Sequence, residues 1–280
     1  MKKIIKRIIK KLTKFFVKVA GTNKLGRYIT EHLARNIFEQ KRDIRHNNIN
    51  LSFYSPNRLN KFRIDTFSTK EPETLSWIEN FNERSVFWDI GANIGLYTCY
   101  AAKLKNSKVY AFEPSIFNLE ILAKNIFTNK VSKNVSIISF PLFDALKETE
   151  FKMSMTDWGG SVSTFGENYK HDGSELKKEF NYNTVGMSMD ECCDVLKMKQ
   201  PDYIKIDVDG IEHLILKGGT ETLKKTKSVL VEVDENFVLQ VEKTSEYLKK
   251  AGMKLKKKLH SDLIDKSKFS SVFNQIWERN

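Results

Sequence analysis

The residues that could do chemistry begin at Asp89. An apolar run, Val86-Phe87-Trp88, ends on this carboxylate, and Ile90-Gly91-Ala92-Asn93-Ile94-Gly95 turns the chain at once. Leu96 to Leu104 then reads as a helix. Strand, tight turn and helix open a mononucleotide-binding βαβ unit. Gly91, Asn93 and Gly95 form the turn: Gly91 permits a positive φ, and Gly95 lets the helix start close to a ligand and the neighbouring strand. The next strand, Lys108–Phe112, ends on Glu113, about twenty positions beyond the glycines, where a carboxylate suits the two hydroxyls of a ribose. Asn118, in the first turn of the following helix, falls near the same ribose. Two cofactors fit this pattern, a nicotinamide dinucleotide and S-adenosylmethionine. Asp89 favours the second, since a carboxylate at the mouth of the loop repels a pyrophosphate but pairs with the ammonium of a methionine moiety. The Gly-x-Asn-x-Gly spacing also departs from the Gly-x-Gly-x-x-Gly of close pyrophosphate approach. An unliganded βα turn is the plain alternative, and Asp89 with Glu113 weighs against it.

A third acidic strand end follows in Tyr203-Ile204-Lys205-Ile206-Asp207-Val208-Asp209-Gly210. Parallel sheets bind ligands at such ends, and Asp89, Glu113 and Asp207 each occupy one. Asp207 is expected beside a transferring methyl group, with Asp209 or His213 orienting an acceptor hydroxyl. Structural roles compete with this: Asp209 as a helix cap, His213 as a helix-face residue. The run lacks the later ligands of a calcium loop, so no metal is assigned.

These positions need a sheet and its helices. The helical periodicity of Ile4 to Val19, with lysines opposite, predicts one amphipathic helix over residues 1–20, and the helix is expected to continue through 21–50 with a polar tail. Lys61–Phe67 alternates like a strand, and a helix opens near Pro72. Ser115–Phe127 reads as a helix buried through Ile116, Leu119, Leu122, Ala123 and Ile126. Strands are expected at 135–140, 150–155, 181–185, 202–210, 229–234, 254–260 and 272–277, with helices at about 212–225 and 237–251 and Asp190 capping a short one. The polar, aromatic loop at 156–166 is long for a compact domain and is read as substrate-facing. Strands alternating with helices and a final antiparallel pair give an α/β sheet with a reversed edge.

Composition narrows the function. The 280 residues, 40% hydrophobic, suit one main core plus an extension, and three cysteines without zinc spacing give neither a disulfide framework nor a metal site. The net charge of +12 is concentrated: seven lysines and one arginine stand in the first eighteen residues, with no acid among them. That placement points to an anionic membrane surface, or a partner, at residues 1–20, and no nucleic acid is expected. No apolar run approaches a membrane span or a signal-peptide core, so a cytoplasmic protein is expected, peripheral at the inner membrane surface.

The runs Trp88–Tyr97, Ala111-Phe112-Glu113-Pro114 and Ile204–Glu212, in this order, resemble the FkbM-type methyltransferase family over about residues 52–278. The resemblance implies a class I, Rossmann-like fold with a mostly parallel seven-stranded sheet and an antiparallel edge, S-adenosylmethionine as cofactor, and methylation of a hydroxyl on a sugar, glycan precursor or other small metabolite. Members often carry Glu where this chain has Asp209. The expected organisation is a basic amphipathic helical extension over 1–50 and a methyltransferase domain over 51–280, with 143–188 a substrate-facing insert. N-methylation, a silent membrane-surface module and a nicotinamide oxidoreductase are the competing readings.

Overall fold

Hydrophobic strands alternating with amphipathic helices build the expected sheet. The computed structural model describes residues 2–260 and 269–279; Met1, 261–268 and Asn280, which fall in the expected first helix and sheet domain, lie outside the described residues. The chain opens with α1 (Lys2–Ala20), α2 (Lys24–Phe38) and a hairpin of β1 (Lys41–His46) and β2 (Ile49–Tyr54). Three short helices, α3 (Arg58–Asp65), α4 (Phe67–Lys70) and α5 (Pro72–Glu79), lead into β3 (Val86–Ile90), α6 (Leu96–Leu104), β4 (Lys108–Phe112), α7 (Ile116–Thr128) and β5 (Val135–Ile138). A three-stranded antiparallel insert of β6 (Lys147–Met153), β7 (Ser163–Phe165) and β8 (Phe180–Gly186) follows. Then come α8 (Met189–Asp194), β9 (Tyr203–Ile206), α9 (Glu212–Lys217), α10 (Thr220–Lys225), β10 (Ser228–Asp234), α11 (Val238–Lys250), β11 (Met253–Leu259) and β12 (Val272–Arg279).

The seven-stranded sheet has the order β11-β12-β10-β9-β3-β4-β5. β10, β9, β3, β4 and β5 run parallel, and β12 pairs antiparallel with both β10 and β11, giving the reversed edge. Side chains alternate between two cores: Phe87 and Tyr203 enter one face, Trp88, Ile90, Ile204 and Ile206 the other. The chain leaves β3 toward β4 and β5, then returns to place β9 and β10 on the other side of β3. The topological switch point therefore lies between β3 and β9, where such sheets open a ligand crevice.

Several local expectations are corrected. Residues 41–50 are not a helical tail but belong to a hairpin that ends at Tyr54, turned by Asn47 and Asn48, both at positive φ (43° and 62°). Residues 61–67 are helical rather than extended: Asn57 caps α3, its Oδ1 accepting the Asn60 N–H at 2.8 Å, and Ile64 is buried. The helix at 212–225 breaks into α9 and α10 at Gly218-Gly219, where Cβ atoms would strike Phe143 and Met189. Ser188, not Asp190, caps α8 through a capping box with Glu191. Asp190 instead accepts the Glu221 and Thr222 N–H groups at the start of α10.

The buried face of α7 also differs. Ile116 is exposed, and the face carries Asn118 and Asn125 beside Ile121, Leu122 and Ile126, with Asn129 at the C-cap. Asn125 and Asn129 hold β2: Tyr54 N–H donates to Asn125 Oδ1 at 2.8 Å, and Ser52 N–H donates to Asn129 Oδ1 at 3.0 Å while Ser52 O accepts from Asn129 Nδ2 at 2.8 Å. Asn129→Ala leaves two half-buried backbone groups of β2 without their partner. It is expected to lower stability by about 1–3 kcal/mol, read as a reduced urea midpoint at unchanged slope; an unchanged midpoint would detach the hairpin from the core.

Candidate active site

The cleft forms where β3 and β9 part. Gly91 stands at φ 85° with its backbone packed on β9: a Cβ there would lie 1.9 Å from the Asp207 carbonyl oxygen. Phe112 O accepts the Gly91 and Ala92 N–H groups at 3.0 and 2.9 Å, which ties the turn to β4. Gly95, at φ 82°, begins α6 against Leu122 of α7. A cavity of about 310 Å³ opens above this turn, lined by Gly91, Asn93, Glu113 and Asn118 on one side and by Asp207, Asp209, Glu232, Arg63, Lys70 and His171 on the other. Gly160, Ser161 and Phe165 of the insert complete the wall.

Glu113 is held in place by the turn it was expected to complement. Its Oε2 accepts the Asn93 N–H at 2.8 Å and its Oε1 the Ser115 N–H at 2.7 Å. Burial pushes its carboxyl up to about 7, against the opposing pull of these bonds. Asn118 serves the insert: its Oδ1 accepts the Gly159 N–H at 2.9 Å, and its Nδ2 and that of Asn93 donate to Gly160 O at 3.0 and 2.8 Å.

Asp89 lies beneath the turn and does not line the cavity. Its Oδ2 accepts the Thr98 hydroxyl at 2.5 Å, while its Oδ1 is buried with no partner. Burial raises its carboxyl above the usual range, and Lys205, opposite it in register, pulls the other way. Lys205 is fully buried and donates to Asp207 Oδ2 at 2.7 Å. Burial alone would lower this ammonium, but Asp207, Glu71 and Asp89 outweigh burial and hold it above its ordinary value. Buried Glu71 in turn pairs with Lys70 and accepts the Tyr97 hydroxyl at 3.0 Å.

Asp209 adopts φ 65° and its Oδ2 accepts the Val162 N–H at 2.6 Å. Burial, then the nearby Asp207, raises its carboxyl. Left-handed backbone is tolerated better by Asp than by Glu, so the shorter residue fits this position. His213 is not brought to Asp207 and Asp209. It is buried between Tyr169 and Phe237, outside the cavity wall, and burial lowers its imidazole to about 4. The carboxylate that holds the 207–212 turn is Glu212, whose Oε1 accepts the Val208 and Gly210 N–H groups at 3.1 and 3.2 Å.

Sequence reasoning passed over Lys205, Glu71, Arg63 and Glu232. Lys205 carried a readable signal, a charge between two isoleucines in a strand buried on both faces. Arg63 was hidden by the strand expected at 61–67; in α3 its Nε donates to Gly159 O at 2.8 Å.

A mostly parallel seven-stranded sheet with a reversed edge, and carboxylates at the ends of β3, β4 and β9, is the fold of class I methyltransferases. The chain belongs to the FkbM methyltransferase family, whose domain matches residues 89–255, and S-adenosylmethionine is the family's cofactor. The chain is similar to the hexuronic acid methyltransferase AglP of Haloferax volcanii, 29% identical over 156 residues that span 56% of this chain and 59% of AglP. It is also similar to the methyltransferase sdnD of Sordaria araneosa, 26% identical over 180 residues, covering 70% of that protein. The crystal structure of Methyltransferase FkbM from Methylobacillus flagellatus KT shares the fold, with a TM-score of 0.50 at 12% identity over 79% of this chain and 52% of that one.

The residues present fit the cofactor. Gly91 lines the cavity with bare backbone, Glu113 lies on the same wall, and Asp89 keeps an unpartnered buried oxygen beneath the turn. A Glu113 that reads the ribose would accept from both hydroxyls when ionised, whereas its protonated form would turn one oxygen into a donor. Affinity for S-adenosylmethionine is therefore expected to be full above pH 7 and to fall as pH drops through about 7. Calorimetry should show binding weakening by up to about tenfold per pH unit below that point. Glu113→Gln should flatten the profile and weaken binding at pH 8 by about 1–3 kcal/mol. A wild-type affinity independent of pH would remove Glu113 from the cofactor site.

Proposed function

We propose that this chain transfers the methyl group of S-adenosylmethionine to a hydroxyl oxygen of a sugar, a glycan precursor or another small metabolite. The observation that carries the reading is the convergence of Glu113, Asp207 and Asp209 on one cavity at the switch point of an FkbM-family sheet. The similarity to AglP favours a uronic-acid sugar among possible acceptors. In this reading residues 51–280 form the methyltransferase domain, 143–188 the acceptor-facing insert, and 1–50 an extension.

The cofactor, when bound, supplies a methyl group on a positively charged sulfur. Glu113 holds the ribose end, with Gly91, Asn93, Gly95 and Asn118 shaping the floor. Asp207 serves the methionine end, where it also favours positive charge beside the acceptor, while Asp89 supports the turn from beneath through Thr98. The cavity wall would hold the acceptor hydroxyl in line with that methyl, and its proton would pass to a carboxylate as the methyl moved from sulfur to oxygen. Asp209 is the group assigned to that proton, because a raised carboxyl is a better base. His213, distant from the wall, supports the helix. Alignment of the acceptor against these walls supplies most of the acceleration.

An amine acceptor is the second reading, favoured by the surplus of carboxylates over Arg63 and Lys70 on the cavity wall. The reading also places the domain on the cytoplasmic face of a membrane, held at anionic lipid by residues 1–20, near a lipid-linked or surface-glycan precursor. Calorimetry with S-adenosylmethionine and with NAD, then labelled-methyl transfer over hexuronic acids, neutral sugars, glycolipids and amines, tests the set. NAD binding in place of S-adenosylmethionine would overturn the reading. With the acceptor so found, Asp209→Asn still accepts the Val162 N–H but cannot take a proton. Turnover should fall by about 10²-fold or more, with cofactor affinity unchanged; normal turnover would leave Asp209 a purely structural residue.

A further inference from the structure

The two N-terminal helices present an apolar face that nothing in the described chain covers. On α1, Ile4, Leu12 and Phe15 are 65%, 61% and 67% exposed, and α2 has no buried residue, with Leu25 at 69%. Six basic residues from Lys6 to Lys18 flank the described part of the α1 stripe, and no acid appears in the sequence before Glu31. No helix among the described residues is long and apolar enough to cross a membrane. A second copy of this chain would bring a like-charged face against the first. The charge is complementary to an anionic bilayer, into whose headgroup boundary the stripe can insert while the lysines meet phosphates.

The far end of this surface reaches the cofactor cleft. Phe38, the last residue of α2, places its ring 4.8 Å from that of Trp158, and Lys124 Nζ sits 3.9 Å over it. Trp158 O accepts from Asn57 Nδ2 at 2.8 Å. The next two residues, Gly159 and Gly160, are those gripped by Arg63, Asn118 and Asn93. A single stretch of chain thus joins the exposed helices to the cavity wall.

Resting on the membrane placement proposed above, we infer that α1 and α2 dock together on an anionic bilayer and that docking braces the Trp158–Ser161 wall through Phe38, tightening the hold on S-adenosylmethionine. Coupling of this kind is reciprocal: whatever factor the bilayer contributes to cofactor affinity, the cofactor contributes to bilayer affinity.

The full chain is titrated with S-adenosylmethionine alone and with phosphatidylcholine vesicles, with or without phosphatidylglycerol as about a third of the lipid. It should sediment with the anionic vesicles only, be released by salt, and bind S-adenosylmethionine about fivefold or more tightly when docked. Added S-adenosylmethionine should raise the fraction sedimented. Phe15→Asp should abolish sedimentation and keep the affinity of the free chain. Phe38→Ala, and Phe38→Leu should the first not fold, should sediment normally but lose the gain in affinity. Failure to sediment with anionic vesicles, or self-association of the chain through this face, overturns both the membrane placement and the inference. Sedimentation without any change in cofactor affinity overturns the coupling alone, and a gain that survives both Phe38 variants overturns its route.

Discussion

One ammonium sealed inside the sheet sets the terms for the cleft. Lys205 occupies a strand position where both neighbours are isoleucines, and the energetic demand of a buried charge draws carboxylates to it. Asp207 answers from the end of its own strand, while Asp89 and Glu71 contribute from β3 and the turn before α5. Without the lysine, these carboxylates would converge at the switch point with only Lys70 to balance them. With it, Asp207 stays fixed at the cavity edge and Asp89 keeps an oxygen free. The acidic character of the cleft is thus a consequence of a basic residue beneath it.

The second constraint is backbone proximity. Gly91 packs on the Asp207 carbonyl so tightly that β3 and β9 meet only because one side chain is missing. Gly95 and Leu122 repeat the device between α6 and α7. These contacts bring Glu113 within reach of the Asn93 N–H and so couple the shape of the turn to the carboxylate expected to read a ribose. The insert then leans on the same turn, since Asn93 and Asn118 share Gly160 O as acceptor.

The main sheet was legible because its strands are short apolar runs that end on acids, and a buried parallel strand leaves few other readings. The same rule failed where polarity and burial part company. The buried face of α7 carries two asparagines, with a third, Asn129, at its C-cap, so counting apolar residues rotated the helix toward exposed Ile116. The hairpin at 41–54 has a charged first strand, which hid its alternation, although Asn47-Asn48 is a recognisable two-residue turn. Residues 61–67 alternate by chance, and their helix follows from the Asn57 cap. Asp89, Glu113 and Asp207 were found because strand ends are visible in sequence. Lys70, Arg63 and Glu232 reach the cavity through tertiary folding that no local spacing records, and His213 sits near Asp209 in sequence but faces away from it.

The segment from Trp158 to Ser161 has a kinetic meaning as well as a structural one. Asn57, Arg63, Asn93 and Asn118 hold it from three separate parts of the chain, and no single one of these bonds opens the wall alone. Opening this side of the cavity therefore requires several bonds to be released together. Such a wall ties the speed of opening to several residues at once, and Asn57, outside the cavity wall, acts on it without touching the reacting groups.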